Sequence, residues 1–197
     1  MDMKQKAYAS IDDNKDNMLK LWQTMVNIEC GPGCKEGVDE IGSMLANFFT
    51  EIGGKNRIHK FADAGNMLVS EFGDCSKPFI ILTGHMDTVF KYGTAAERPF
   101  KIEDGKAYGP GVLDMKGGIV ILSYALKALK ECGWDKHPVK VILLGDEEVG
   151  HANSEAPIRI MEEAQGAFAS FNFETGFPDN GIVVERKGMF QFQLEVF

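Results

Sequence analysis

The sequence predicts an α/β fold, a three-layer αβα sandwich around a mostly parallel mixed sheet. Three observations carry that expectation. Two continuous apolar runs, Pro78–Thr83 (PFIILT) and Val139–Leu144 (VKVILL), have the composition of strands covered on both faces. Around them, apolar residues recur at helical spacing. Strands that alternate with helices in this way build a sheet sandwiched between helical layers.

The elements follow in chain order. Met18, Leu19, Trp22, Met25 and Val26 predict a helix over 13–28, stopped by Gly31-Pro32-Gly33. Val38, Ile41, Leu45, Phe48 and Ile52 form the core-facing stripe of a second helix, ended by Gly53-Gly54. Met67–Phe72 and Pro78–Thr83 are strands, and Lys101–Tyr108 is a hairpin that turns at Asp104-Gly105. Ile119, Leu122, Leu126 and Leu129 line one face of a helix over 117–132, and Val139–Leu144 is the next strand. Ser154 is placed to cap a helix running to Ala164, with Pro157 in its first turn. Ala167–Phe173 and Ile182–Val184 read as further strands. Phe190, Phe192, Leu194 and Val196 alternate as in a half-buried strand.

Composition excludes several classes of function. The 197 residues carry 21 Lys and Arg against 29 Asp and Glu, a net charge of −8, with no basic patch to meet nucleic-acid phosphates or an anionic membrane surface. No window offers the ~18 uninterrupted apolar residues of a membrane span. Residues 1–17 are polar and lack the apolar stretch of a signal peptide, so a cytoplasmic protein is expected. Of Cys30, Cys34, Cys75 and Cys132, only the first two are close, in CGPGC; without a second Cys or His pair they read as reduced thiols, not a zinc ribbon.

Chemistry concentrates after the strands. His85 and Asp87 follow PFIILTG, Asp146-Glu147-Glu148 follow VKVILLG, and Glu174 follows AFASFNF. Asp114 sits in a Gly-rich loop (YGPGVLDMKGG) before a helix. In open α/β sheets ligands bind at the carboxyl ends of strands. Singly, each signal is weak: a strand-end His is commonly structural, an acidic run is commonly a solvated loop, and His59, His137 and His151 keep such structural roles. Jointly, an imidazole and several carboxylates suit two divalent metals, with Asp114 the candidate bridge. His85 and Asp87 point to one side, so the carboxylate can fix the imidazole tautomer. Of Glu147 and Glu148, one can bind metal while the other serves as base. The loop matches neither GxxxxGK[ST] nor GxGxxG, which disfavours a nucleotide site.

GHMDTV (84–89), GPGVLDMKGG (109–118), GDEEVG (145–150) and FETG (173–176) together resemble the two-zinc amidohydrolase family of glutamate carboxypeptidase, acetylornithine deacetylase, succinyl-diaminopimelate desuccinylase, aminoacylase and peptidase T. GTAAERPF (93–100) looks most like the glutamate carboxypeptidase branch. The resemblance implies a phosphorylase/hydrolase-like zinc-peptidase catalytic domain. It implies two Zn2+ ions, with Co2+ or Mn2+ as alternatives. His85 and Glu174 would bind the first ion, Glu148 the second, and Asp114 would bridge them. Glu147 would be the general base and Asp87 the partner of His85. A hydroxide bridging the zincs would attack the amide of a small peptide or N-acyl amino acid. Glu at position 174 is similar to the carboxypeptidase and deacylase members, and a cis Asp114–Met115 bond is implied.

The resemblance also implies an inserted lid domain, often dimerising, and a late His for the second zinc. RKGMFQFQLEVF (186–197) resembles the first strand of that lid. Residues 1–186 are therefore expected to be the N-terminal part of the catalytic domain and 187–197 the start of a truncated lid. On that expectation the second site lacks its last ligand, a homodimer needs an intact lid, and the chain alone turns over little. The competing expectation is a non-catalytic fragment or paralogue that binds metal or a partner.

Overall fold

A computed structural model describes residues 1–177, 179, 181–185, 194 and 195. The elements are α1 (Met3–Asp13), α2 (Lys15–Val26), α3 (Lys35–Glu51), β1 (Lys55–His59), β2 (Gly65–Phe72), β3 (Phe79–His85) and α4 (Thr94–Glu97), followed by the hairpin strands β4 (Lys101–Glu103) and β5 (Lys106–Tyr108). A distorted turn, Val112–Gly117, then leads into α5 (Gly118–Glu131), β6 (Val139–Gly145), α6 (Ala156–Glu163) and β7 (Ala167–Asn172).

Five strands form one sheet in the order β1-β2-β6-β3-β7. β3 runs parallel to both β6 and β7, β2 runs antiparallel to β6, and β1 is antiparallel to β2. Four strands thus share one direction and β2 alone opposes them, which is the mostly parallel mixed sheet expected. Alternation along the strands divides the core in two. Leu68, Phe72, Val139, Val141 and Leu143 pack beneath α2, α3 and α5, represented by Met25, Ile41, Leu45, Phe49, Ile119 and Leu122. Met67, Val69, Phe79, Ile81 and Ile142 face the other way and are covered by Ile160 and Ala164 of the α6 segment. These are the three layers.

The local chemistry explains most boundaries. Asp104 and Gly105 both take positive φ (50° and 72°), the backbone a two-residue hairpin turn requires. α6 begins with Glu155 at its N-cap, one residue past the expected Ser154, whose hydroxyl accepts the Ala156 N–H at 3.1 Å just before the helix. The first expected helix is interrupted at Asn14, so that α2 begins at Lys15 and a separate helix, α1, precedes it. Residues 182–184 form no strand: Ile182 and Val184 are 87% and 92% exposed, and no strand pairs with them among the described residues. The alternation over 190–196 falls on residues outside the described ones, Leu194 excepted. Among the described residues no helix is long and apolar enough to cross a membrane. All four cysteines are free thiols.

Candidate metal centre

The three mutually parallel neighbours β6, β3 and β7 end on the same edge of the sheet. His85 is the last residue of β3, Glu147 and Glu148 lie just past the end of β6, and Glu174 lies just past β7. Pairing continues beyond the formal strand ends: the Met86 N–H donates to Leu144 O at 2.8 Å, and the Phe173 N–H donates to Thr83 O at 3.0 Å. The side chains that follow each strand are therefore held in register by backbone bonds.

Asp114 reaches the same edge from the opposite direction. Its turn needs glycine where it bends: Gly111 has φ +69°, and a Cβ there would stand 2.5 Å from Thr88 Cγ2. At Gly118 the start of α5 passes so close to β7 that a Cβ would meet Phe173 O at 1.9 Å. The Asp114–Met115 peptide bond is cis, as expected.

These elements converge on the His85 imidazole, which is buried. Its Nε2 lies 3.1 Å from Asp114 Oδ1, 3.3 Å from Glu174 Oε1 and 4.0 Å from Glu147 Oε2. Its Nδ1 faces the Asp87 backbone oxygen at 3.0 Å and Asp87 Oδ1 at 3.3 Å. Both ring nitrogens therefore face only acceptors, Nδ1 those of Asp87 and Nε2 those of Asp114, Glu174 and Glu147; a cation at Nε2 would displace the proton there, while Asp87 keeps the one on Nδ1. One donor atom each from His85, Asp114 and Glu174 lies within 4.8 Å of the others, a three-ligand group able to hold a metal ion. The donor set, one imidazole nitrogen with two carboxylates, fits a divalent ion of the zinc, cobalt or manganese type.

Electrostatics show how strongly this edge favours a positive charge. Burial pulls the His85 imidazolium down, but Asp87 and Glu174 outweigh it and push its pKa up to about 11. Contact with His85 in turn holds Glu174 below the ordinary carboxylate range. Glu148 moves the other way: burial raises its pKa, His85 opposes, and the charges of Asp114, Asp87 and Glu147 raise it further. Among the described residues, His85 is the one cation in contact with this set, and His151 interacts with Glu147 and Asp87 from behind, so the carboxylates outnumber the imidazoles.

The sequence-predicted residues are placed unequally. His85, Asp114 and Glu174 are brought together as a set, and Glu147 stands at its rim. Glu148 lies outside the three-ligand group, close enough to feel the charge of Asp114. Asp87 does more than partner His85. Its Oδ1 accepts the Glu147 N–H at 3.1 Å and its Oδ2 accepts the Glu148 N–H at 2.9 Å, so one carboxylate fixes both the imidazole and the backbone of the acidic pair. Asp146 points away and accepts from His151 Nδ1 at 2.8 Å and from the Ser154 hydroxyl, closing the loop behind the pair. Residue spacing alone carried no signal for either of these two structural duties.

Fold and donor set together define a class: an αβα domain whose strand ends gather metal-binding side chains. The family described as Peptidase family M20/M25/M40 matches residues 81–193, more than half of the chain, and the protein belongs to that family. It is 32% identical over 193 residues to carboxypeptidase G2 of Pseudomonas sp. (strain RS-16), a match that covers 96% of this chain and 46% of that one. It is 28% identical over 122 residues to acetylornithine deacetylase of Vibrio campbellii, covering 59% of this chain and 31% of the other. Its fold superposes on human carnosine dipeptidase 1 with a TM-score of 0.73 at 19% identity, covering 85% of this chain and 40% of that chain. The chain therefore spans less than half the length of each of these relatives.

Proposed function

We propose that this chain carries the metal-binding and proton-transferring part of an enzyme that hydrolyses an amide bond in a small peptide or N-acyl amino acid. The observation that carries the reading is the convergence of His85, Asp114 and Glu174 at the ends of parallel strands. The similarity to a carboxypeptidase and to a deacetylase supports the substrate class. His85 and Glu174 would hold one zinc, Glu148 a second, and Asp114 would be shared between them. When bound, the ions would polarise the scissile carbonyl and lower the pKa of the attacking water.

The remaining roles belong to the chain's own groups. Glu147 is half-exposed at the rim, where a water and a substrate amide can both reach its carboxylate. It takes the proton from the attacking water and returns it to the leaving nitrogen, the work of a general base that becomes a general acid. Asp87 holds the Glu147 amide, so the base is presented from a fixed backbone. His85, with Nδ1 tied to Asp87, directs Nε2 at the ion.

Equilibrium dialysis against Zn2+ tests the assignment without relying on turnover. Wild type should bind tightly, Asp114→Ala should lose binding, and Glu147→Gln should keep it. Retention by Asp114→Ala would refute the site, and loss in Glu147→Gln would move Glu147 from base to ligand.

A further inference from the structure

Lys116 is fully buried two residues after Asp114. Among the described residues its recorded partners are backbone carbonyls, not carboxylates. Its Nζ instead donates to Met25 O at 2.8 Å and to Ile28 O at 3.4 Å. Those carbonyls lie at and just beyond the C-terminal end of α2, where helix oxygens lack an i+4 donor and partial negative charge accumulates; Met25 O also accepts the Ile28 N–H at 3.2 Å. A buried ammonium is costly unless its donors are used, so the side chain is confined to this one seat. The backbone of the same residue is also committed, because the Lys116 N–H donates to Gly111 O at 3.0 Å. A second tie joins the same two elements: Trp22 Nε1 of α2 donates to Val112 O at 3.0 Å. The turn that carries Asp114 is thus bolted to α2 at both ends, while Asp114 itself keeps a half-exposed carboxylate 3.1 Å from His85.

We propose that Lys116 is a positioning residue for Asp114. Its ammonium, seated on the end of α2, fixes the turn so that the carboxylate is delivered to His85 and Glu174 before any ion arrives. The inference rests on the metal-centre reading above. It adds that the affinity of the centre is set in part by a lysine that touches none of its ligands.

The test is Co2+ titration of the full 197-residue chain, followed by visible absorption, with far-UV circular dichroism as the check on folding. Lys116→Met keeps most of the stem and drops the charge; Lys116→Gln drops the charge but keeps an NH2 donor group. In whichever variant folds, the Co2+ dissociation constant should rise by about 10–100-fold, the range for residues that orient metal ligands, and the ligand-field band should change shape. A folded variant with wild-type affinity and spectrum overturns the proposal. Collapse of both variants also overturns it, because Lys116 would then hold the whole fold and not the turn. Amide hydrogen exchange on the metal-free protein separates this inference from the reading beneath it. If wild type binds no Co2+, the metal-centre reading fails. The anchoring role is then decided by exchange over 111–117: selectively faster exchange in the variant supports it, and unchanged exchange refutes it.

Discussion

Strand β6 carries charge at both ends, and the two ends are treated in opposite ways. At its start, buried Lys140 donates to Glu163 Oε2 at 3.0 Å and lies 3.3 Å from Glu71. Arg57 and His59 complete the group, donating to Glu163 Oε1 at 2.8 and 2.9 Å. Burial raises the Glu163 pKa, but Arg57, His59 and Lys140 outweigh it and bring it down to about 2. Past its other end, Glu147 and Glu148 lie near Asp87, Asp114 and Glu174, and among the described residues only His85 makes direct contact with that set, with His151 behind it. The first group is balanced and closed over; the second is left in excess, where solvent can reach it. Density of ionisable residues does not separate a binding site from a structural network. Residual charge does.

The largest effect should come from breaking the balanced group. Glu163→Gln takes from buried Lys140, Arg57 and His59 the carboxylate they share and leaves Lys140 with Glu71 at 3.3 Å; it should cost about 3 kcal/mol in urea unfolding, the low end for a broken buried pair. The wild-type pH dependence has a fixed sign. Because the folded Glu163 pKa lies near 2, below its ordinary value near 4.5, its contribution is present above pH 4.5 and lost as pH falls towards 2, on the order of 3 kcal/mol. An unchanged urea midpoint in the variant would break the comparison.

Asp87→Asn comes next. One of the two backbone amides it serves would meet an NH2 group instead of an oxygen, a loss of about 1–3 kcal/mol with exchange quickened at residues 147 and 148. His151→Ala should cost about 1 kcal/mol by thermal melting, since Ser154 still satisfies Asp146. The hydrogen bond to Asp146 raises the His151 pKa, so that increment is present below pH 6.5 and fades as pH rises above it. The smallest effect should have the opposite sign. Glu148→Gln removes a charge that its neighbours oppose, so the metal-free protein should gain less than about 1 kcal/mol while its metal affinity falls. A loss of metal-free stability there would show that the acidic end is not in excess.

The sequence was legible where periodicity and chemistry are local. PFIILT and VKVILL are β3 and β6, the neighbours that set the site edge, and the Asp-Gly hairpin formed as its residues dictate. β1 escaped because KNRIH is an edge strand with little buried surface, so no apolar run marks it. α1 escaped because it is polar with no buried residue, although Asp2 and Gln5 supply a capping box that signals its start. His85, Glu147, Glu148 and Glu174 could be named from the residues that end or follow strands, and Asp114 from its Gly-rich loop. The division of labour among them could not, because the Asp87 bonds to Glu147 and Glu148 and the seat of Lys116 on α2 join segments about 60 and 90 residues apart, beyond any sequence pattern.

Lys116 has one more consequence, for chemical labelling. A lysine with no water contact and all its hydrogen bonding turned inward is closed to amine-directed acylating reagents, whereas exposed lysines are open to them. Residue 116 therefore reports on its own turn. It stays unmodified while the turn remains seated on α2, and it becomes labelled only when that contact opens, so a mass-spectrometric time course can follow one loop within the intact chain.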